Sequence, residues 1–155
     1  MQNVKIIPSA LAAEEGVATI YRESIGPNPS TWGNSIIPNI WGDADEQLQV
    51  QIKTTRLVNY IDDIVDFLKL DIEVCEEQVL RNIEPKLFMI RQLELEFHGT
   101  TTNQEINDLD RIVELLRRNS FEVETKIKDV ATICREQTIK RVNPKFAQVK
   151  AKRSI

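Results

Sequence analysis

One histidine, two cysteines, five glycines and 6% aromatics leave this 155-residue chain poor in the usual tools of catalysis. Cys75 and Cys134 are too few for a disulfide scaffold. Both fall in apolar patterns and read as buried free thiols, which suits a reducing compartment. His98 stands in the sequence without the Cys or carboxylate cluster of a metal centre, and neither cysteine has a histidine beside it to form a nucleophile pair. A glycine-rich phosphate loop is missing. So is the run of ~18 apolar residues that a membrane span needs. The opening Met1-Gln2-Asn3-Val4-Lys5-Ile6-Ile7-Pro8 has no apolar core of a secretory signal. These absences predict a protein with no cofactor, no metal and no enzymatic activity. They place it in the cytoplasm or in an intracellularly assembled particle, away from membranes.

What is present is charge, unevenly spread. Residues 1–137 hold 14 basic and 24 acidic groups, whereas residues 138–155 hold six basic groups and no acid. The whole-chain charge of −4 therefore conceals an acidic body and a basic tail. Composition divides the chain into three regions. An arm, residues 1–42, holds four of the six prolines and four of the five glycines. Within it Ser9 to Gly16 reads as a short capped helix. Pro29-Ser30-Thr31-Trp32-Gly33-Asn34 and Pro38-Asn39-Ile40-Trp41-Gly42-Asp43 repeat one Pro-x-x-Trp-Gly pattern. Both tryptophans lie there, and Trp32 and Trp41 are expected to anchor partners, since tryptophan is enriched in interface hot spots.

The middle region, residues 43–141, predicts an all-α fold: a long antiparallel helical hairpin, coiled-coil-like, following the extended arm. Val58, Ile61, Val65, Leu68, Ile72, Cys75 and Val79 follow the 3–4 spacing of a heptad seam. Tyr60, Ile64, Phe67, Val74, Phe88 and Leu95 flank it as a second apolar surface, read as an oligomer interface. A first helix over about 44–97 would be ~80 Å long, kinked or broken near Pro85. His98-Gly99 would end it, and Thr102-Asn103-Gln104-Glu105 matches a capping box. A second helix would then run over about 103–141.

Asp62-Asp63-Ile64-Val65-Asp66 resembles the Asp-Asp-x-x-Asp motif of isoprenoid and terpene synthases. Arg22-Glu23-Ser24 with Pro29 to Gly33, and Asn107-Asp108-Leu109 with Glu114, are similar to two further terpene-synthase segments. The resemblance implies a small magnesium-dependent diphosphate enzyme in which Asp62 and Asp66 hold the metal. Those folds need about twice this length and other spacings, so the acids read instead as a solvated helix face.

The tail, residues 142–155, completes a basic set of Lys140, Arg141, Lys145, Lys150, Lys152 and Arg153. It fits docking on an acidic protein surface, or phosphate contact in a nucleic-acid-binding packaging or adaptor protein. Together these features predict a structural assembly protein, self-associating through its hairpin with a trimer preferred over a dimer. Arm and tail would clip it to other subunits of a large assembly such as a viral or phage particle.

Overall fold

The computed structural model describes residues 3–23, 34–38, 47–100, 104–128 and 144–153. The described residues form two sheets and two short helices, and the all-α hairpin is overturned. The first sheet has three strands: β1 (Ala10–Leu11), β2 (Gly16–Glu23) and β3 (Gln47–Thr55), in the order β1-β3-β2. The second has four: β4 (Val65–Leu70), β5 (Ile90–Thr100), β6 (Phe121–Ile127) and β7 (Pro144–Arg153), in the order β4-β5-β7-β6. β4 runs parallel to β5, and β7 runs antiparallel to both β5 and β6. Helix α1 (Glu76–Ile83) crosses from β4 to β5, and α2 (Leu109–Arg118) precedes β6.

The segment expected as one 44–97 helix contains β3, a 3-10 turn at Leu57–Tyr60, β4, α1, a second 3-10 turn at Glu84–Met89 and most of β5. Its heptad seam was a coincidence of spacing: Val65 and Leu68 lie on a strand, while Val79 lies on a helix. The strands carry the period of two that a pleated surface requires. Gln47-Leu48-Gln49-Val50-Gln51-Ile52 alternates strictly, as does Phe121-Glu122-Val123-Glu124. α1 ends at Ile83, and Pro85 enters the first turn of the following 3-10 segment. α2 starts well after the expected capping box. Asp108 caps it by accepting from the Arg111 N–H at 3.0 Å, and it stops at Arg118 before β6. Ser9 to Gly16 is no helix, since Ala10–Leu11 and the residues from Gly16 onward are strand.

The four-stranded sheet has two unlike faces. Leu93, Leu95 and Phe97 of β5 and Ala147, Val149 and Ala151 of β7 are buried on one of them. That face packs under Val79, Leu80 and Ile83 of α1 and Leu109, Ile112, Leu115 and Leu116 of α2, in one core. Gly99 belongs to this row. A Cβ on it would stand 2.6 Å from Cζ of Phe97, so the ring lies over the bare backbone. Gly99 thus lies within β5, next to its last residue, where only a glycine leaves room, and it ends no helix.

The other face alternates acid with base. Glu94 of β5 and Glu124 of β6 both stand opposite Lys150 of β7, and Glu122 stands opposite Lys152. The expected basic tail is therefore a central strand. Its cations lie between acidic strands, with Lys150 Nζ 4.0 Å from Glu94 and Gln148 Nε2 donating to Glu94 at 2.8 Å. Opposite charges at facing positions are the sheet's counterpart of helical i,i+4 pairs. Arg153 packs its guanidinium 4.6 Å from the centre of the Phe121 ring.

Candidate functional site at the ends of the parallel strands

β4 ends where Leu70 faces Leu95 of β5, and alongside the remaining residues of β5 the polar face turns into a dense cluster. Asp71 follows β4 directly, and the chain turns through Ile72 to Cys75 before α1 begins. Glu73 and Val74 both take left-handed backbone conformations, with φ of 53° and 81°. Such conformations are strained for a buried β-branched residue and persist only where the surroundings enforce them. Here Ser35 donates its hydroxyl to the Glu73 carbonyl at 2.8 Å, and the Val74 N–H donates to Glu76 Oε1 at 3.3 Å.

From β5 come Glu96 and His98, two residues apart and so on one face. The His98 imidazole sits at the centre. Its Nδ1 is 3.1 Å from Glu76 Oε1, and its Nε2 is 3.8 Å from Glu73 and 4.0 Å from Asp71. The Phe146 ring meets it edge-on at 5.5 Å. Burial disfavours the charged ring, but the bond to Glu76 and the charges of Glu73, Glu76 and Asp71 outweigh it and raise the His98 pKa. Glu73 is also raised, chiefly by burial, against the lowering pull of His98 and with neighbouring carboxylates adding to the rise.

Behind this cluster is a buried scaffold. Glu76 exposes none of its surface. Asn107 donates through Nδ2 to Glu76 Oε2 at 2.6 Å and to the His98 carbonyl at 2.8 Å, while its Oδ1 accepts the Glu77 N–H at 3.0 Å. Glu77 accepts from Arg111 at 2.9 Å, from Arg81 at 2.9 Å and from the Asp108 N–H at 2.9 Å. The starts of α1 and α2 are thereby fastened to each other beneath the cluster. Cys75, buried in the same turn, has its thiol pushed up to about 12 by burial and by Glu76, so it is no nucleophile. Asp71, Glu96 and His98 each place one ligand atom within 4.8 Å of the others, the one such group among the described residues.

The residues singled out from sequence lie elsewhere. Trp32, Trp41, Lys140 and Arg141 fall outside the described residues. Lys145, Lys150, Lys152 and Arg153 are on β7. Tyr60, Ile64, Phe67 and Phe88 are exposed, but Val74 and Leu95 are fully buried in the fold and unavailable to a partner. Asp62 and Asp66 share no helix face: Asp62 precedes β4, near Lys86 at 3.8 Å, and Asp66 is on β4, paired with Arg91 at 2.6 Å. Asp71, Glu73, Glu76 and Asn107 were missed as site residues. The available signal was Glu94-x-Glu96-x-His98, whose spacing of two puts all three on one face of a strand. No described helix is long and apolar enough to cross a membrane.

A mixed sheet with a crossover helix thus carries a strained polar cluster at the carboxyl end of β4, beside Glu96 and His98 of β5, and in open α/β sheets the carboxyl ends of the strands are where ligands bind. Residues 5–123 match the methyltransferase FkbM domain, and the chain belongs to that family. The family is one of methyltransferases, which overturns the expected non-enzymatic, coiled-coil structural protein of a virus or phage particle. No curated protein and no solved structure matches the chain.

Methyltransferases commonly draw their methyl group from an adenosyl sulfonium donor. The described turn from β4 into α1 reads Asp71-Ile72-Glu73-Val74-Cys75 and lacks the glycines that let backbone cradle such a ligand. The carboxylates of the described cluster suit an uncharged or cationic polar group.

Proposed function

We propose that this chain serves methyl transfer and that the cluster around His98 holds the methyl acceptor. The observation that carries the reading is the convergence of Asp71 and Glu73, just beyond the end of β4, on His98 of the adjacent β5, in a member of a methyltransferase family. An acceptor hydroxyl or amine donates hydrogen bonds, and carboxylate oxygens accept them best. Three acids with one imidazole favour a neutral or cationic acceptor, such as a polyol or an amine, and repel carboxylates and phosphates. Glu76 and Asn107, buried and fully engaged, keep the imidazole in place.

The test is transfer of an isotopically labelled methyl group from S-adenosylmethionine to polyol, amine and carboxylate acceptors by the full chain. Label should appear on polyols or amines and fall at least about tenfold in Glu73→Ala, the order expected for loss of a charged hydrogen bond. Asp66→Asn, on exposed β4, should leave it unchanged. Transfer confined to carboxylates, or indifferent to Glu73→Ala, would contradict the reading, as would no transfer to any acceptor.

A further inference from the structure

We propose that Asp71, Glu96 and His98 bind one divalent first-row transition-metal cation, for which paramagnetic Mn2+ is the probe. One ligand atom from each already lies within 4.8 Å of the others, so a small contraction brings them to bonding distance of a shared ion. Asp71 directly follows β4, and Glu96 and His98 stand on the adjacent β5, which gives them a rigid base.

The orientation of each group supports the assignment. His98 Nδ1 is held at 3.1 Å by Glu76, a carboxylate with no exposed surface, itself fixed by Asn107 at 2.6 Å. A carboxylate behind one ring nitrogen is how proteins orient the other nitrogen towards a metal. Here that other nitrogen, Nε2, faces Asp71 at 4.0 Å. Glu96 is likewise half engaged. Its Oε2 accepts from Lys128 at 2.6 Å, while Oε1 has Lys69 Nζ at 4.0 Å.

A separate observation shows that the gap between the two carboxylates accommodates a cation. The half-exposed Lys69 reaches across it, with its Nζ 3.3 Å from Asp71 Oδ2 and 4.0 Å from Glu96 Oε1. A flexible ammonium there is a weak occupant that a divalent ion can displace into solvent. Glu73, 3.8 Å from His98 Nε2, is the nearest further oxygen donor. Two carboxylates with one imidazole favour a first-row transition-metal ion over calcium and magnesium, which prefer all-oxygen shells.

The site stands or falls independently of the methyl-transfer reading, because its test measures binding alone. Full-chain protein is titrated with MnCl2 by calorimetry, and the imidazole proton signals of its one histidine are followed by NMR. One equivalent of Mn2+ should bind and broaden those signals. Glu96→Gln and Asp71→Asn should each weaken binding at least tenfold, with circular dichroism confirming the fold. Asp66→Asn should not change it. Lys69→Gln, which removes the competing ammonium from a half-exposed position, should tighten binding several-fold. Unsaturable binding, unbroadened imidazole signals, equal weakening by Asp66→Asn, or an unchanged affinity in Lys69→Gln would each overturn the proposal.

Discussion

Glu76 and His98 lie 22 residues apart in sequence and are joined by a 3.1 Å contact between Oε1 and Nδ1, with Glu76 wholly inside the protein. A buried carboxylate is costly unless its oxygens are satisfied. Both of Glu76's are, one by His98 and the Val74 N–H, the other by Asn107. The pair fastens the first turn of α1 to the end of β5 and sets the direction of the one imidazole. Around it four consequences can be measured.

Gly99→Ala should destabilise the protein by about 1–3 kcal/mol, the usual cost of overfilling a packed core. The new Cβ would stand 2.6 Å from Phe97 Cζ, and Phe97 is buried with nowhere easy to go. Chemical denaturation measures this. An unchanged midpoint would mean that the ring does not lie over Gly99.

Glu77 should steepen the acid limb of the stability curve. Burial opposes its charge, but hydrogen bonds from Arg111, Arg81 and the Asp108 N–H prevail and hold its carboxyl below the ordinary value of 4.5. A group with a lowered native pKa contributes stability that is complete above its unfolded pKa. That contribution is lost as the pH falls through the native one. Urea unfolding of wild type and Glu77→Gln, compared from about pH 7 down to about pH 3, should show the variant less stable at neutral pH by on the order of 1–3 kcal/mol. Its loss on acidification should be shallower. Parallel acid limbs would count against the network between α1 and α2.

Cys75 should resist thiol reagents in the native state. Its thiol is pushed up to about 12, first by burial and then by Glu76, so almost no thiolate exists near neutral pH. In a Cys134→Ser background, a chromogenic disulfide reagent should label Cys75 only after unfolding. Rapid native labelling would show that the turn after β4 opens.

Lys150→Glu should weaken the four-stranded sheet. The substitution sets a third acid between Glu94 and Glu124 on the neighbouring strands. Like charges at facing positions cost about 0.2–1 kcal/mol each, and salt screens the effect because Lys150 is largely exposed. The loss should shrink in high salt. Equal destabilisation at low and high salt would point to packing instead.

Reading the fold from sequence failed where two periodicities overlapped. Apolar residues from Val58 to Val79 fit a heptad by count, yet Val58 is in a 3-10 turn, Val65 and Leu68 are on a strand, Val79 is on a helix, and Ile61, Ile72 and Cys75 lie between these elements. Short strands packed on helices leave too few repeats of period two to outvote a chance 3.6-residue match over twenty residues. Helix-favouring Glu, Gln and Lys on β3 and β6 strengthened the false reading, since tertiary pairing overrides weak propensity. β6 and β7 were nevertheless legible as alternation in Phe121 to Ile127 and in Phe146 to Lys152. The site was scarcely legible. Its members sit at 71, 73, 76, 96, 98 and 107, and no local pattern links the first three to the last three.

The sequence by itself determined the ingredients: an acidic body, an acid-free basic end, one histidine, a buried Cys75 and no phosphate loop. It even held the relation between the two charged parts, because alternation puts Lys150 and Lys152 on one side of a strand. Only the tertiary structure decided that this basic end is a central strand between acidic neighbours. It also decided that Asp71, Glu73 and Glu76 converge on His98. The reason is physical: a parallel pair of strands joined by a crossover helix brings together residues more than twenty positions apart, and that adjacency is set by the packing of α1 on β5 rather than by any spacing along the chain.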